Sequence, residues 1–153
     1  MSLNTISRAL FAGLVATAAM TFMAYVVAPV MLGHPMDIAQ MLSGFAGASW
    51  TIGMLMHLMN GIVVFPLFYL IAVYRFLPGA PWLKGILWGV VLWLGLEIVI
   101  LPMIGAGVFS INEGGAKAVM AALIAHLIYG VLLGAVTGPA GQIATAGLEE
   151  KTI

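Results

Sequence analysis

The sequence predicts an all-α integral membrane protein whose fold is a four-helix bundle. Of its 153 residues, 63% are hydrophobic and only 7% are charged, whereas a soluble domain carries about 25% charged residues. Four stretches reach the roughly 20 apolar residues that a helix needs to cross a bilayer. These stretches lack the alternation typical of membrane barrel strands, so we expect each of them to be a helix.

We expect the whole chain, residues 1–153, to form a single transmembrane domain with spans near residues 7–31, 50–73, 82–105 and 117–138. After the first span, polar and apolar residues recur at helical spacing. This pattern predicts a short interfacial helix near residues 36–44, with Asp37 close to its N-terminus. Residues 77–81, rich in proline and glycine, predict a tight turn, and we expect the tail after Gly138 to be solvated.

Basic residues predict the orientation of the spans. Arg8, Arg75, Lys84 and Lys151 flank one side of the predicted bundle, and only Lys117 lies on the other. Cytoplasmic loops carry an excess of lysine and arginine, so both termini are expected in the cytoplasm. We therefore expect a multi-pass protein of a bacterial inner membrane, with the two longer loops on the outer side.

Composition and missing motifs argue against several function classes. The formal net charge is zero, which gives no basic field for nucleic acid. The absence of cysteine excludes disulfides, thiolate metal sites and cysteine nucleophiles. The sequence has no glycine-rich phosphate loop, no Ser-His-Asp set and no pair of carboxylates. We therefore predict a non-enzymatic protein whose immediate partner is the lipid bilayer.

The second and fourth predicted spans carry similar segments. His57 and Gly61 align with His126 and Gly130, and a leucine follows each histidine. The similarity favours two duplicated helical hairpins. Steps of four residues place each histidine on the same face as its glycine, so we expect both histidines to point into the bundle rather than toward lipid.

A polar layer is predicted in the outer half of the bundle. Glu97 is the only acidic residue in a predicted span, and it lies with His57 and His126 about 10 to 13 Å below the outer helix ends. A carboxylate in hydrocarbon costs at least about 2.5 kcal/mol, so we expect Glu97 to pair with an imidazole. In a purely structural interpretation, Asn60 and Tyr129 complete a network that fixes helix register.

A second interpretation of the same layer is a haem b bound between the second and fourth spans. His57 and His126 would be its axial ligands, and Gly61 and Gly130 would leave room for the macrocycle. Against this interpretation, the sequence has no second histidine pair for a two-haem electron path and no arginine near the outer face to bind the propionates.

A third interpretation is a metal site. The ligands would be His57, His126 and Glu97, or methionine side chains. The sequence contains 11 methionines, and all except Met1 lie in the predicted outer half or the outer loops. Soft thioethers select Cu(I), which makes an outward-facing copper site chemically reasonable. The alternative explanation is that methionine fills irregular gaps in the packing.

The chain resembles a family of small four-span bacterial membrane proteins with no assigned activity. The resemblance rests on the segment Met36-Asp37-Ile38-Ala39, on the two His-x-x-x-Gly helices and on the early helix segment beginning at Gly13. It extends over roughly residues 8–138. It implies the four-span fold and an inner-membrane location, and it implies nothing about mechanism.

From these observations we predict a small accessory subunit of a larger membrane complex, whose polar layer organises the bundle or holds haem. The alternative is a homodimeric transporter or binding protein for copper or a small solute. Three prolines at or near the span ends, Pro29, Pro66 and Pro102, are consistent with a transporter, although membrane helices tolerate proline routinely.

Overall fold

The computed structural model describes residues 3–139, and the predicted tail lies almost entirely outside this range. The prediction of an all-α bundle is confirmed: residues 3–139 contain helices and no strand. Four helices are long and apolar enough to span a membrane, and a short helix, α2, follows the first of them. The helices are α1 (Leu3–Leu32), α2 (Ile38–Ala46), α3 (Trp50–Tyr74), α4 (Pro81–Met103) and α5 (Gly115–Thr137).

The spanning helices pack in the order α3, α1, α5, α4. Helix α5 packs against both α1 and α4, and α3 packs against α1. The most apolar stretch of α5 is 44% buried, against 17% for that of α4. Helix α5 is therefore the centre of the bundle, and α4 lies at an edge where most of its side chains are available to lipid.

Glycine residues lie where the helices approach one another most closely. A side chain at Gly85 or Gly130 would collide with the backbone of the other helix at the α4–α5 contact. On the other side of the bundle, Gly61 of α3 lies directly against the side chain of Thr17 in α1. Small residues let neighbouring backbones approach, which strengthens van der Waals packing where lipid offers no hydrophobic drive. The small-residue faces are thus helix contacts.

The two ends of the bundle differ in their loops. The long-loop end carries residues 33–49 and 104–114. The short-loop end carries residues 75–80, the start of α1 and the end of α5. At the short-loop end, the Lys84 amine donates to the Tyr74 carbonyl at 3.1 Å, and the Arg8 guanidinium lies beside Gly138. These contacts tie the start of α4 to the end of α3, and the start of α1 to the end of α5.

Asp37 organises the long-loop end. Its side chain accepts hydrogen bonds from the Gln40 N–H at the start of α2 (2.9 Å), from the Tyr25 hydroxyl (2.6 Å) and from the Trp50 indole (3.0 Å). Partial burial raises the pKa of Asp37, but these donors outweigh that effect and hold its pKa below the ordinary value. One carboxylate therefore links α1, α2 and α3.

Candidate functional site

His57 lies on α3 and is 7% exposed, with its ring turned toward α1. Its Nε2 atom is 2.9 Å from the Thr21 hydroxyl, and that hydroxyl donates its only hydrogen to the Thr17 carbonyl at 2.7 Å. His57 Nε2 must therefore be the donor to Thr21, which leaves Nδ1 as the unprotonated nitrogen of the neutral ring. The histidine links α3 to α1.

His126 lies on α5 and is 8% exposed. Its Nδ1 atom is 2.8 Å from the Ala122 carbonyl, one turn earlier on the same helix. A carbonyl can only accept, so Nδ1 carries the hydrogen and Nε2 is the unprotonated nitrogen. The two histidines therefore have opposite tautomers, and each bonds to its own local partner.

The Tyr129 hydroxyl bonds to a main-chain carbonyl that is released from the helix, meaning that a proline deprives it of its helical N–H donor. Residues Asn60–Val64 form a π-helical turn in which the Phe65 N–H bonds to the Asn60 carbonyl. The next carbonyl, at Gly61, would take the N–H of residue 66, but this residue is proline and has none. The Tyr129 hydroxyl donates to Gly61 instead, at 2.8 Å, and so connects α5 to α3.

The same arrangement recurs in α1 and α4. The turn Met23–Val27 precedes Pro29 and releases the Ala24 carbonyl, and the turn Leu96–Ile100 precedes Pro102 and releases the carbonyl of Glu97. In all three cases the released carbonyl lies five residues before the proline. Single π-helical turns inside α-helices often mark functional sites.

Glu97 is fully buried on α4. Its Oε2 atom accepts a hydrogen bond from the Ser110 hydroxyl at 3.3 Å. Its Oε1 atom has no hydrogen-bond partner among the described residues. The predicted partner was an imidazole, but the structure supplies a serine from the long loop, because the loop folds back over the end of α4.

The residues of the polar layer predicted from the sequence therefore do not form one hydrogen-bond network. Tyr129 and Gly61 are joined, but His57, His126 and Glu97 each bond to a different residue. Asn60 lines a surface groove with apolar residues of α3 and makes no bond to Tyr129. Within residues 3–139, no group of three His, Asp or Glu side chains is placed to hold a metal ion. The three-ligand site of His57, His126 and Glu97 is not formed.

The arrangement also does not fit a haem between α3 and α5. Gly61 is covered by Thr17, and Gly130 by the backbone of α4 at Gly85. The glycines expected to leave room for a macrocycle leave room for neighbouring helices instead. His57 further directs its Nε2 atom to Thr21.

A small cavity lies outside the predicted polar layer. Three methionines line a cavity of about 10 Å³ between α1 and α5 at the long-loop end. This volume is about that of one water-sized particle. We call it the methionine cavity, and its lining is Met23, Met31, Met36, Ala24, Ala28, Ala121, Ile124 and Ala125. These methionines belong to the set predicted in the outer half, but nothing in the sequence indicated that they meet.

The released Ala24 carbonyl brings the third methionine to this cavity. Met36 belongs to the loop after α1, and its N–H donates to the Ala24 carbonyl at 3.0 Å. Pro29 has no N–H to compete for that carbonyl. The bond places Met36 beside Met23, which is adjacent to Ala24 in the same turn. The signal in the sequence was the five-residue spacing from Ala24 to Pro29.

Comparison with known proteins identifies the family. Residues 3–146 match the model of the family described as "Family of unknown function (DUF6789)". The chain belongs to this family. The match confirms the predicted resemblance to a family without an assigned activity. Comparisons with curated proteins and with solved structures find no match.

Proposed function

We propose that this DUF6789 protein is a non-enzymatic membrane protein that binds Cu(I) in the methionine cavity. The observation that carries the proposal is the convergence of Met23, Met31 and Met36 on one small cavity. Two of them come from α1 and the third from the following loop. Thioether sulfurs from three separate positions can supply a set of soft donors to one ion.

The chemistry of the lining favours a soft monovalent ion. Thioethers are neutral, soft ligands that select Cu(I), whereas Zn²⁺ and Mg²⁺ prefer imidazole, thiolate or oxygen donors. The other lining side chains are alanine and isoleucine, so they offer no competing ligand. A single positive charge is also less costly to bury among neutral ligands than a double charge.

In this proposal an ion enters the cavity at the long-loop end, past Met31. Met31 is 44% exposed, while Met23 and Met36 are half-buried. The Asp37 network lies next to Met36 and holds the loop in place. In this proposal the long-loop end faces the outside of a bacterial inner membrane, so copper arrives from the periplasm.

The role of an accessory subunit stays a prediction, and copper binding is compatible with it. A subunit that holds Cu(I) within the bilayer can serve a larger complex or a homodimer. His57 then has the structural role of linking α3 to α1, while His126 bonds within its own helix.

Competition with a chromogenic Cu(I) chelator under anaerobic, reducing conditions tests the proposal. We expect detergent-purified protein to retain one Cu(I) per chain in the presence of the chelator, and so to withhold that ion from it. The triple variant M23L/M31L/M36L should withhold none, because leucine keeps the apolar volume and removes the sulfur. Thermal unfolding of the apoprotein checks that the variant is folded.

The matched control replaces three methionines outside the cavity. Met59, Met103 and Met120 are each at least half exposed and do not line it. M59L/M103L/M120L should therefore withhold copper as the wild type does. Equal binding by both triple variants, or loss in the control alone, would contradict the proposal.

A further inference from the structure

The buried carboxylate of Glu97 lies on the opposite side of α5 from α1 and takes no part in the methionine cavity. It is fully buried, and its Oε1 atom has no partner among the described residues. Neither of its oxygens is paired with a lysine or arginine within residues 3–139. An unpaired buried charge is strongly unfavourable, so the group must hold a positive ion or a proton.

A second acceptor lies at the same residue. The Leu101 N–H bonds to the Leu96 carbonyl, and Pro102 has no N–H to offer to the Glu97 carbonyl. The residue therefore presents a carboxylate oxygen and a main-chain oxygen, both without their ordinary donors. Transporter sites for Na⁺ and H⁺ combine acidic side chains with carbonyls released from broken helices in this way.

The loop from the long-loop end covers this residue. Ser110 donates to Oε2, and the Phe109 ring packs on Trp93, one turn before Glu97, with a centroid distance of 5.9 Å. Phe109 and Ser110 both adopt a left-handed backbone conformation, with φ of 52° and 51°. Non-glycine residues hold that conformation only where their surroundings enforce it.

The Trp93 indole lies beside the Glu97 carboxyl group, and its buried N–H makes no hydrogen bond within 3.5 Å in the described chain. A cation bound beside the carboxylate supplies the counter-charge that Glu97 lacks. The surrounding titratable groups are few. The exposed Glu113 and Lys117 lie on the loop and the start of α5, and His126 on α5 is bonded to Ala122.

We propose that Glu97 is a binding site for one monovalent cation, either a proton or an alkali ion, reached from the long-loop end. The carboxylate and the main-chain oxygen of Glu97 bind the ion, and the Phe109–Ser110 segment covers it. This site is separate from the methionine cavity and requires different chemistry.

Carbodiimide labelling of the wild-type protein in detergent tests the site. Dicyclohexylcarbodiimide is apolar and reacts with a protonated carboxyl group in apolar surroundings, and the adduct is mapped by peptide mass spectrometry. We expect labelling at Glu97 that slows as pH rises. Suppression by added Na⁺ or Li⁺ at constant pH identifies an alkali-ion site, and labelling insensitive to these ions identifies a proton site.

Three variants sharpen the result. Glu97→Gln should abolish the adduct, and Glu113→Gln, which changes an exposed carboxylate, should leave it unchanged. Ser110→Ala should raise the labelling rate by about fivefold, because it removes one hydrogen bond that holds the cover closed. If Glu97 is labelled only after denaturation, its proton does not exchange in the folded protein, and the proposal is overturned. Copper binding by the same sample tests the methionine cavity separately.

Discussion

At the scale of single residues, glycines set how closely the helices approach. Gly130 meets the backbone of Gly85 across the α4–α5 contact, so an added methyl group forces the helices apart. Gly130→Ala should destabilise the protein by about 3 kcal/mol, the upper end of overpacking costs. The measurement is thermal or SDS-induced unfolding in detergent.

Gly95 provides the matched control, since it lies on α4 with nothing within 4 Å of an added Cβ. Gly95→Ala should be neutral or stabilise the helix by up to about 1 kcal/mol, because glycine is the weaker helix former. Similar losses of stability for Gly130→Ala and Gly95→Ala would show that the close approach of α4 and α5 does not cause the destabilisation.

Asp37 makes the stability of the long-loop end depend on pH. Its hydrogen bonds lower its pKa from the ordinary 3.8, so the folded state favours the ionised form. The resulting stability is complete well above pH 3.8 and is lost as pH falls through the lower folded pKa. Asp37 is largely exposed, which limits the effect to about 1 kcal/mol.

Asp37→Asn removes the charge and keeps an acceptor for the helix start. The variant should unfold at a lower temperature than the wild type near neutral pH, and the difference should shrink in acid as Asp37 becomes protonated. A difference that is constant from neutral to acidic pH would contradict an ionic role.

At the scale of helical elements, the central feature is a π-helical turn five residues long followed by a proline. The Gly61 carbonyl, released by Pro66, takes the Tyr129 hydroxyl. Tyr129→Phe should cost about 1 to 3 kcal/mol, because a buried acceptor is left without a donor. In a Pro66→Ala background, residue 66 has an N–H for Gly61, so the same change should cost less.

A double-mutant cycle of Pro66→Ala and Tyr129→Phe measures this coupling from unfolding free energies. The control cycle combines Tyr129→Phe with Pro102→Ala, whose released carbonyl is on a different helix, and it should be additive. Additivity in both cycles would show that Pro66 has no connection with the Tyr129 bond.

At the scale of the whole molecule, hydropathy was enough to predict four helices that are long and apolar enough to span a membrane. The first span was predicted at residues 7–31, and helix α1 is Leu3–Leu32. The interfacial helix was predicted near residues 36–44, and helix α2 is Ile38–Ala46. Hydropathy does not specify which helices are neighbours, because every span is apolar on most faces. The faces that carry the histidines and glycines were predicted to point into the bundle, but they did not indicate the order α3, α1, α5, α4.

The candidate sites were harder to predict because they depend on contacts between residues that are distant in sequence. Glu97 was expected to pair with a histidine at the same depth, but Ser110 reaches it through a loop that reverses direction. Met36 reaches Met23 through a main-chain bond made available by Pro29. Residue types and depths were visible in the sequence, but the path of the loops was not.

The proposed orientation can be tested because the natural chain contains no cysteine. His34→Cys and Pro78→Cys place single thiols at exposed positions of opposite ends. With both termini cytoplasmic, a membrane-impermeant thiol reagent added to intact cells should label His34→Cys alone. Labelling of Pro78→Cys alone would place the long-loop end, and with it the methionine cavity, in the cytoplasm.

X-ray absorption spectroscopy at the copper edge is the most direct test of the central claim, since it identifies the atoms that bind the ion. Cu(I)-loaded wild-type protein should show sulfur scatterers alone in the first coordination shell, and M23L/M31L/M36L should show no protein-bound copper. A first shell of nitrogen from His57 and His126, unchanged in the triple variant, would contradict the account.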